Sequence, residues 1–98
     1  MPFDHLVPRS FTSNTVHMFA PIASGVYGVS NAREWIYIGE TEDIQGALLA
    51  LLQDPSTSLM KNIPTGFVFE LCAGGSRPAR QSRLVHEYNP RCNREAVR

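Results

Sequence analysis

The chain has 98 residues, of which 43% are hydrophobic and 18% are charged, and its formal net charge is zero. This length suits one domain with a modest core, and the composition excludes a disordered chain and a coiled coil. No segment approaches the ~20 successive apolar residues of a membrane span. Two cysteines are too few for a disulfide scaffold, and Asp4 stands where a leader peptide would carry positive charge, so we expect a cytoplasmic protein without membrane contact.

The first part of the chain, residues 1–22, is predicted to be an N-terminal arm. Residues 1–15 mix proline, serine, threonine and asparagine without a hydrophobic period, so we expect irregular structure there. Residues 15–20 have a strand-like composition, and Pro21 would end such a strand or confine it to a sheet edge. The arm is therefore expected to contain one short strand.

Two β-prone runs follow the arm and predict a hairpin. Residues 25–29 and 34–38 are rich in β-branched and aromatic side chains, and a turn-forming Ser-Asn pair lies between them. A helix is expected after Gly39, because Thr41 is a good N-cap and apolar residues then recur at helical spacing. Pro55 marks the end of this helix.

The second half of the chain predicts one further strand and one further helix. Residues 66–72 form a strand-like run, and Pro78 suits the first turn of a helix that Pro90 would terminate. The predicted order is β-β-α-β-α, a small α/β (α+β) sandwich whose three-stranded antiparallel sheet is flanked by helices. We place the domain at residues 23–94 and a polar tail at residues 95–98.

Charge is distributed unevenly along the chain although its sum is zero. Residues 1–76 hold three Lys/Arg and seven Asp/Glu, whereas residues 77–98 hold six arginines and two glutamates. A basic end on a neutral chain is typical of a phosphate-binding face, and also of a solvated surface paired with acidic neighbours. The arginines that we consider for nucleic-acid binding are Arg77, Arg80 and Arg83.

Two short motifs lie on the predicted hairpin. Gly25-Val26-Tyr27 stands on its first strand, and after nine intervening residues Tyr37-Ile38-Gly39 closes its second strand. A third piece, residues 84–93, has an apolar pair on a helix followed by Pro90, two residues and Asn93. Together these pieces resemble the GIY-YIG nuclease superfamily over residues 24–94, and that family has a three-stranded antiparallel sheet flanked by helices.

The resemblance implies metal-assisted phosphodiester hydrolysis and assigns a role to individual positions. It makes Tyr27 and Tyr37 the tyrosines that line the site. The family's phosphate-holding arginine would stand ten residues after the second tyrosine, at Ala47, and its metal-binding glutamate nine residues before the closing proline, at Gln81. The remaining motif positions are Gly25, Gly39, Pro90 and Asn93.

This sequence lacks two charged groups of the family pattern, because it has Ala47 in place of the arginine and Gln81 in place of the glutamate. Alanine offers no charge to a phosphate, and glutamine lacks the negative charge that a hard cation takes from its protein ligand. We therefore expect no metal site, no cofactor and no cleavage by the usual mechanism. The expected protein is a catalytically degenerate domain that acts as a small nucleic-acid-binding or interaction module, with DNA or RNA as its partner.

Two alternatives stay open at this point. One is an active divalent-metal-dependent endonuclease that uses Mg²⁺ or Mn²⁺ with non-standard helper residues, for which Arg33, Glu40 and Glu42 are the candidates. The other is a protein-interaction or self-assembly domain with no nucleic-acid role, such as a homodimer joined through the N-terminal arm. In that case the two motif tyrosines are half-buried strand aromatics rather than catalytic groups.

Overall fold

The computed structural model describes residues 3, 8–54 and 58–96. Its elements in chain order are β1 (Arg9–Ser10), α1 (Ser13–Phe19), β2 (Gly25–Ser30), β3 (Trp35–Thr41), α2 (Ile44–Gln53), α3 (Ser58–Lys61), β4 (Gly66–Leu71), α4 (Arg77–Tyr88) and α5 (Arg91–Ala96). Residues 1–2 and 4–7 of the predicted arm and residues 97–98 of the predicted tail lie outside the described residues. None of the helices in the described ranges combines the length and the apolar composition that crossing a bilayer requires.

The four strands form one antiparallel sheet in the order β1-β4-β2-β3. The hairpin predicted over β2 and β3 is confirmed, since Tyr27 lies opposite Gly39 and Val29 lies opposite Tyr37. β4 runs along the other side of β2, with Phe69 opposite Tyr27. β2 is thus the central strand, and all six of its residues are buried.

The sheet has four strands and not the predicted three, and the predicted order β-β-α-β-α is incomplete. The additional strand β1 pairs with β4 through Arg9 opposite Phe67 and Ser10 opposite Gly66. A strand of two residues has no readable period, and its partner lies far along the chain, so local sequence does not reveal it. Helices α1, α3 and α5 also add to the predicted order.

The strand predicted at residues 15–20 is wrong, because residues 15–19 lie in the helix α1 and Ala20 is its C-cap. The Thr12 side chain accepts a hydrogen bond from the Thr15 backbone N–H at 3.2 Å and caps the first turn. Val16 is buried in the core whereas Met18 is exposed, which is the pattern of a surface helix. The cap and the buried face outweigh the β propensity of this segment.

Hydrophobic side chains cover both faces of the sheet. One face packs against α1, α2, α3 and α5, and its buried cluster includes Val16, Tyr27, Ile44, Leu48, Leu59, Phe67 and Cys92. The opposite face packs against α4, and its buried cluster consists of Phe3, Val26, Ile38, Val68 and Leu84. The Phe3 ring also stacks on Trp35 at a centroid distance of 5.7 Å. The predicted arm therefore contributes side chains to both clusters.

The two longest helices begin at different kinds of residue. α2 begins after Asp43, whose Oδ1 accepts a hydrogen bond from the Gly46 backbone N–H at 3.0 Å, so the cap is Asp43 and not the predicted Thr41. α4 confirms the helix expected at Pro78, which lies in its first turn. Its C-cap is Asn89, whose φ of 50° is the left-handed conformation that asparagine tolerates.

Candidate functional site

The two motif tyrosines meet on one face of the β2–β3 hairpin. Tyr27 is the cross-strand partner of Gly39, and Tyr37 lies two residues before Gly39 on the same strand. Cross-strand partners and residues two apart share a face of the sheet, so both tyrosine side chains project on the same side. The ring centroids of Tyr27 and Tyr37 lie 6.1 Å apart with the planes inclined by 47°. The register therefore brings together the two tyrosines that the sequence predicted to line one site.

Gly39 makes this arrangement possible. A Cβ at position 39 would lie 2.5 Å from Tyr27 Oη and 2.8 Å from Tyr37 Cε2, closer than real Cβ atoms come to other atoms. Both rings therefore occupy the space above Gly39, and the glycine is required by close approach and not by an unusual backbone conformation. Gly25 has a comparable role, because a Cβ there would meet the Glu70 backbone oxygen and the Ile44 side chain.

Both phenols are held in their protonated form. Tyr27 is 7% exposed, and burial raises its pKa well above the usual value near 10, with further contributions from Tyr37 and from the Glu40 carboxylate. Burial likewise raises the pKa of Tyr37, and Cys92 and Glu40 add to the effect. Both shifts favour the neutral phenol over the phenolate.

Ala47 lies on α2 and is partly buried against the hydrophobic cluster that contains Tyr27. Its methyl group therefore takes part in packing. The position at which the resemblance places an arginine consequently carries no charge and no hydrogen-bonding group.

Gln81 and Asn93 both bind the backbone of Ile38 on β3. Gln81 Nε2 donates to the Ile38 carbonyl at 3.1 Å, and Asn93 Nδ2 donates to the same oxygen at 3.0 Å. The Ile38 N–H donates to Asn93 Oδ1 at 2.7 Å. Because β3 is the last strand of the sheet, these amides satisfy backbone groups that have no neighbouring strand. The buried Pro90 lies at the turn that carries the chain from α4 to α5 and so to Asn93.

The three arginines considered for nucleic-acid binding have different surroundings. Arg80 forms a two-contact ion pair with Glu70, in which Nε and Nη2 each lie 2.7 Å from a carboxylate oxygen. Arg77 Nε lies 3.0 Å from Glu40 Oε1. Arg83 is exposed on α4.

Sequence reasoning missed Glu70, although it is the one charged residue in a strand-like apolar run. The register explains its place, since Glu40 on β3 and Glu70 on β4 are both cross-strand partners of Val26. The two carboxylates therefore flank the central strand on the face that α4 covers. Arg77 and Arg80, three residues apart on α4, reach one carboxylate each.

These residues do not fit a divalent cation. Among the residues that the structure describes, no group of three or more His, Cys, Asp or Glu side chains is placed to hold a metal ion. The amide nitrogen of Gln81 faces a carbonyl oxygen, and the carboxylates of Glu40 and Glu70 each face an arginine. Mg²⁺ keeps several waters and binds proteins through one or two carboxylates, and the position that the resemblance gives to this carboxylate holds the neutral Gln81, so we assign no step to a metal.

Solved structures of one protein domain share this arrangement of strands and helices. Crystal structures of the GIY-YIG N-terminal endonuclease domain of UvrC from Thermotoga maritima are similar to this chain. A Tyr→Phe variant bound to its catalytic divalent cation has a TM-score of 0.68 at 18% identity, covering 81% of this chain and 91% of that one. An Asn→Ala variant, also bound to its catalytic divalent cation, has a TM-score of 0.67 at 20% identity, with the same coverage. The chain has a GIY-YIG fold.

The GIY-YIG fold confirms the resemblance inferred from the motifs at Gly25-Val26-Tyr27 and Tyr37-Ile38-Gly39. No family model matches the sequence, and no curated protein matches it. The short motifs and their order on the predicted elements were therefore the signal in the sequence that pointed to the GIY-YIG fold.

Proposed function

We propose that this GIY-YIG domain is catalytically degenerate and binds nucleic acid without cleaving it by the usual mechanism of the superfamily. One observation carries the proposal. The two positions at which the resemblance places a catalytic arginine and a metal-binding glutamate hold Ala47 and Gln81, and both side chains are used in packing or in a hydrogen bond to Ile38.

The size of the missing contributions supports the absence of cleavage. An arginine that stabilises a transferring phosphoryl group is worth about 10³- to 10⁵-fold in rate in other enzymes. A metal ion held by such a carboxylate would supply the positive charge that activates water and stabilises the leaving oxygen. The raised pKa of both tyrosines adds to this, because a phenol that keeps its proton at neutral pH is a poor general base.

The basic helix α4 supports nucleic-acid binding. Residues 77–98 hold six arginines and two glutamates, and Arg83 is exposed on α4. Arginine on an exposed helix face binds phosphate oxygens through charge and through its forked hydrogen-bond donors. The similar domain from Thermotoga maritima is an endonuclease domain, which is consistent with a nucleic-acid partner for this fold.

The proposal is tested with a cleavage assay and a binding titration on the same samples. The wild-type chain is incubated with Mg²⁺ or Mn²⁺ and with single-stranded, duplex and branched DNA and with RNA, next to Tyr27→Phe. We expect no cleavage in either case. We expect binding, measured by fluorescence anisotropy, whose affinity falls steeply with salt because phosphate contacts release counterions.

One observation favours a second candidate, the active nuclease. The carboxylate of Glu40 lies near enough to both phenols to raise the pKa of Tyr27 and of Tyr37. Cleavage that requires Mg²⁺ or Mn²⁺ and is lost in both Tyr27→Phe and Glu40→Gln would overturn degeneracy and assign the carboxylate to Glu40. Absence of binding, together with a particle mass above one chain, would favour a self-assembly domain instead.

A further inference from the structure

The two ion pairs between α4 and the sheet differ in contact geometry and in solvent exposure. Arg80 and Glu70 form two parallel contacts of 2.7 Å, and their side chains are 15% and 13% exposed. This two-contact geometry is the strongest form of an arginine–carboxylate pair, and removing either partner from such a partly buried site leaves a charge uncompensated. Arg80–Glu70 is therefore a structural pair that holds α4 on the sheet.

Arg77 and Glu40 form a looser pair. Arg77 Nε lies 3.0 Å from Glu40 Oε1, but its N–H makes no hydrogen bond within the described part of the chain, so the contact is ionic only. The Glu40 side chain is 31% exposed, more than twice the value for Glu70. A single ionic contact to a solvated carboxylate contributes little, because water screens it.

The other side of Arg77 is held by a hydroxyl group. Arg77 Nη1 donates to Ser24 Oγ at 3.3 Å, and Ser24 Oγ in turn donates to the Cys72 carbonyl at 2.6 Å. This chain of bonds orients the guanidinium without adding negative charge. The pair lies on the face of the sheet that α4 covers, whereas the two tyrosine rings lie on the opposite face.

We propose that the Arg77–Glu40 ion pair is exchangeable, so that Arg77 takes a nucleic-acid phosphate in place of Glu40, whereas the Arg80–Glu70 ion pair stays intact. The inference rests on the proposed nucleic-acid binding and names the arginine that performs it. The exchange keeps the guanidinium paired with an anion and releases Glu40 to solvent. A phosphate offers two oxygens to the guanidinium donors, whereas Glu40 now makes only one unaligned contact.

The test compares matched variants of the two pairs. Arg77→Gln and Arg80→Gln, and likewise Glu40→Gln and Glu70→Gln, are titrated against a fluorescein-labelled duplex DNA oligonucleotide over a salt series. We expect Arg77→Gln to weaken binding about tenfold and to lower the salt slope by about one. Glu40→Gln tightens binding a few-fold, since it removes the carboxylate that competes with phosphate.

The variants of the second pair provide the control. We expect Arg80→Gln and Glu70→Gln to lower the urea midpoint while leaving the affinity of the folded protein within twofold of wild type, about the scatter of such titrations. Equal loss of binding in Arg77→Gln and Arg80→Gln, or loss confined to Arg83→Gln, overturns the exchange and leaves nucleic-acid binding in place.

A second readout separates failure of the exchange from failure of the proposed function. If the wild-type chain does not bind the oligonucleotide, the proposed function fails. The exchange is then judged by the arginine side-chain Nε–H signals in NMR during titration with inorganic phosphate. A saturable shift at Arg77 and not at Arg80 supports it, and equal shifts or no shift at both overturn it.

Discussion

The side-chain amide of Asn93 and the backbone of Ile38 form a closed pair of hydrogen bonds. Asn93 Oδ1 accepts from the Ile38 N–H at 2.7 Å, and Asn93 Nδ2 donates to the Ile38 carbonyl at 3.0 Å. The amide thus pairs with both backbone groups of one residue of β3, as the backbone of a neighbouring strand would. It closes part of an exposed sheet edge, which is otherwise a site for unwanted pairing between chains.

Asn93→Ala removes both hydrogen bonds from a buried position. We expect the free energy of unfolding to fall by about 1–3 kcal/mol, because the Ile38 N–H loses its partner and the Ile38 carbonyl keeps only the hydrogen bond from Gln81. Asn93→Asp keeps the acceptor but places a buried carboxylate oxygen against the Ile38 carbonyl oxygen, so at neutral pH it is expected to destabilise the fold at least as much as Asn93→Ala. Urea unfolding measures both, with Asn14→Ala at an exposed residue of α1 as the control. A loss no larger than that of the control would contradict the role of Asn93.

Gly39→Ala tests the packing of the tyrosine pair. The new Cβ would stand 2.5 Å from Tyr27 Oη, so at least one ring must move and the free energy of unfolding is expected to fall by about 1–3 kcal/mol. The near-ultraviolet circular dichroism of the tyrosines should change as well. Gly75→Ala is the matched control, because a Cβ there meets nothing within 4 Å. Equal effects at the two positions would show that the rings do not depend on Gly39.

The raised pKa of Tyr27 predicts a loss of stability in alkali. Its folded pKa lies above the usual value of 10.0, so the unfolded chain releases this proton first as the pH rises. The unfolded state then binds fewer protons than the folded state, and the free energy of unfolding falls above about pH 10. Urea midpoints measured between about pH 8 and pH 11 should fall more steeply for wild type than for Tyr27→Phe. Parallel curves would show that Tyr27 titrates normally.

Ala47→Arg combined with Gln81→Glu tests the degeneracy of the site. We expect the double variant to cleave DNA with Mg²⁺ or Mn²⁺, because it gains a phosphate-binding cation and a metal-binding carboxylate, whereas the proposed function predicts no cleavage by the wild-type chain. The change should also lower the free energy of unfolding by about 1–3 kcal/mol, since position 81 loses the hydrogen bond to the Ile38 carbonyl and a larger side chain at position 47 disturbs the packing of α2. Adding Tyr27→Phe should abolish the new activity. No cleavage by the folded double variant would mean that other positions of the site have also diverged.

Several elements of the fold could be predicted because their signal is local. The β2–β3 hairpin, the helix α2, the strand β4 and the helix α4 each follow from hydrophobic period, turn residues and prolines within a short stretch. The segment at residues 15–20 was misjudged because its composition favours a strand, whereas the Thr12 cap and the burial of Val16 favour a helix. The burial depends on α2, which lies elsewhere in the sequence.

The site was predictable only in part for a similar reason. Short motifs in the sequence pointed to Tyr27, Tyr37, Gly39 and Asn93, and counting from these motifs led to Ala47 and Gln81. The ion-pair partners of the arginines could not be predicted from the sequence. Arg77 meets Glu40 and Arg80 meets Glu70 only because β2 pairs with both β3 and β4.

The amino-acid sequence by itself determined the elements that bear the motifs and the chemical groups available to the site. The tertiary structure decided which of these groups remain available for a ligand. Strand register placed one carboxylate against each of two arginines, and the fold of α4 and α5 turned Gln81 and Asn93 onto the edge of β3. Such pairings depend on contacts between residues far apart in the chain, and local propensity carries no information about these contacts.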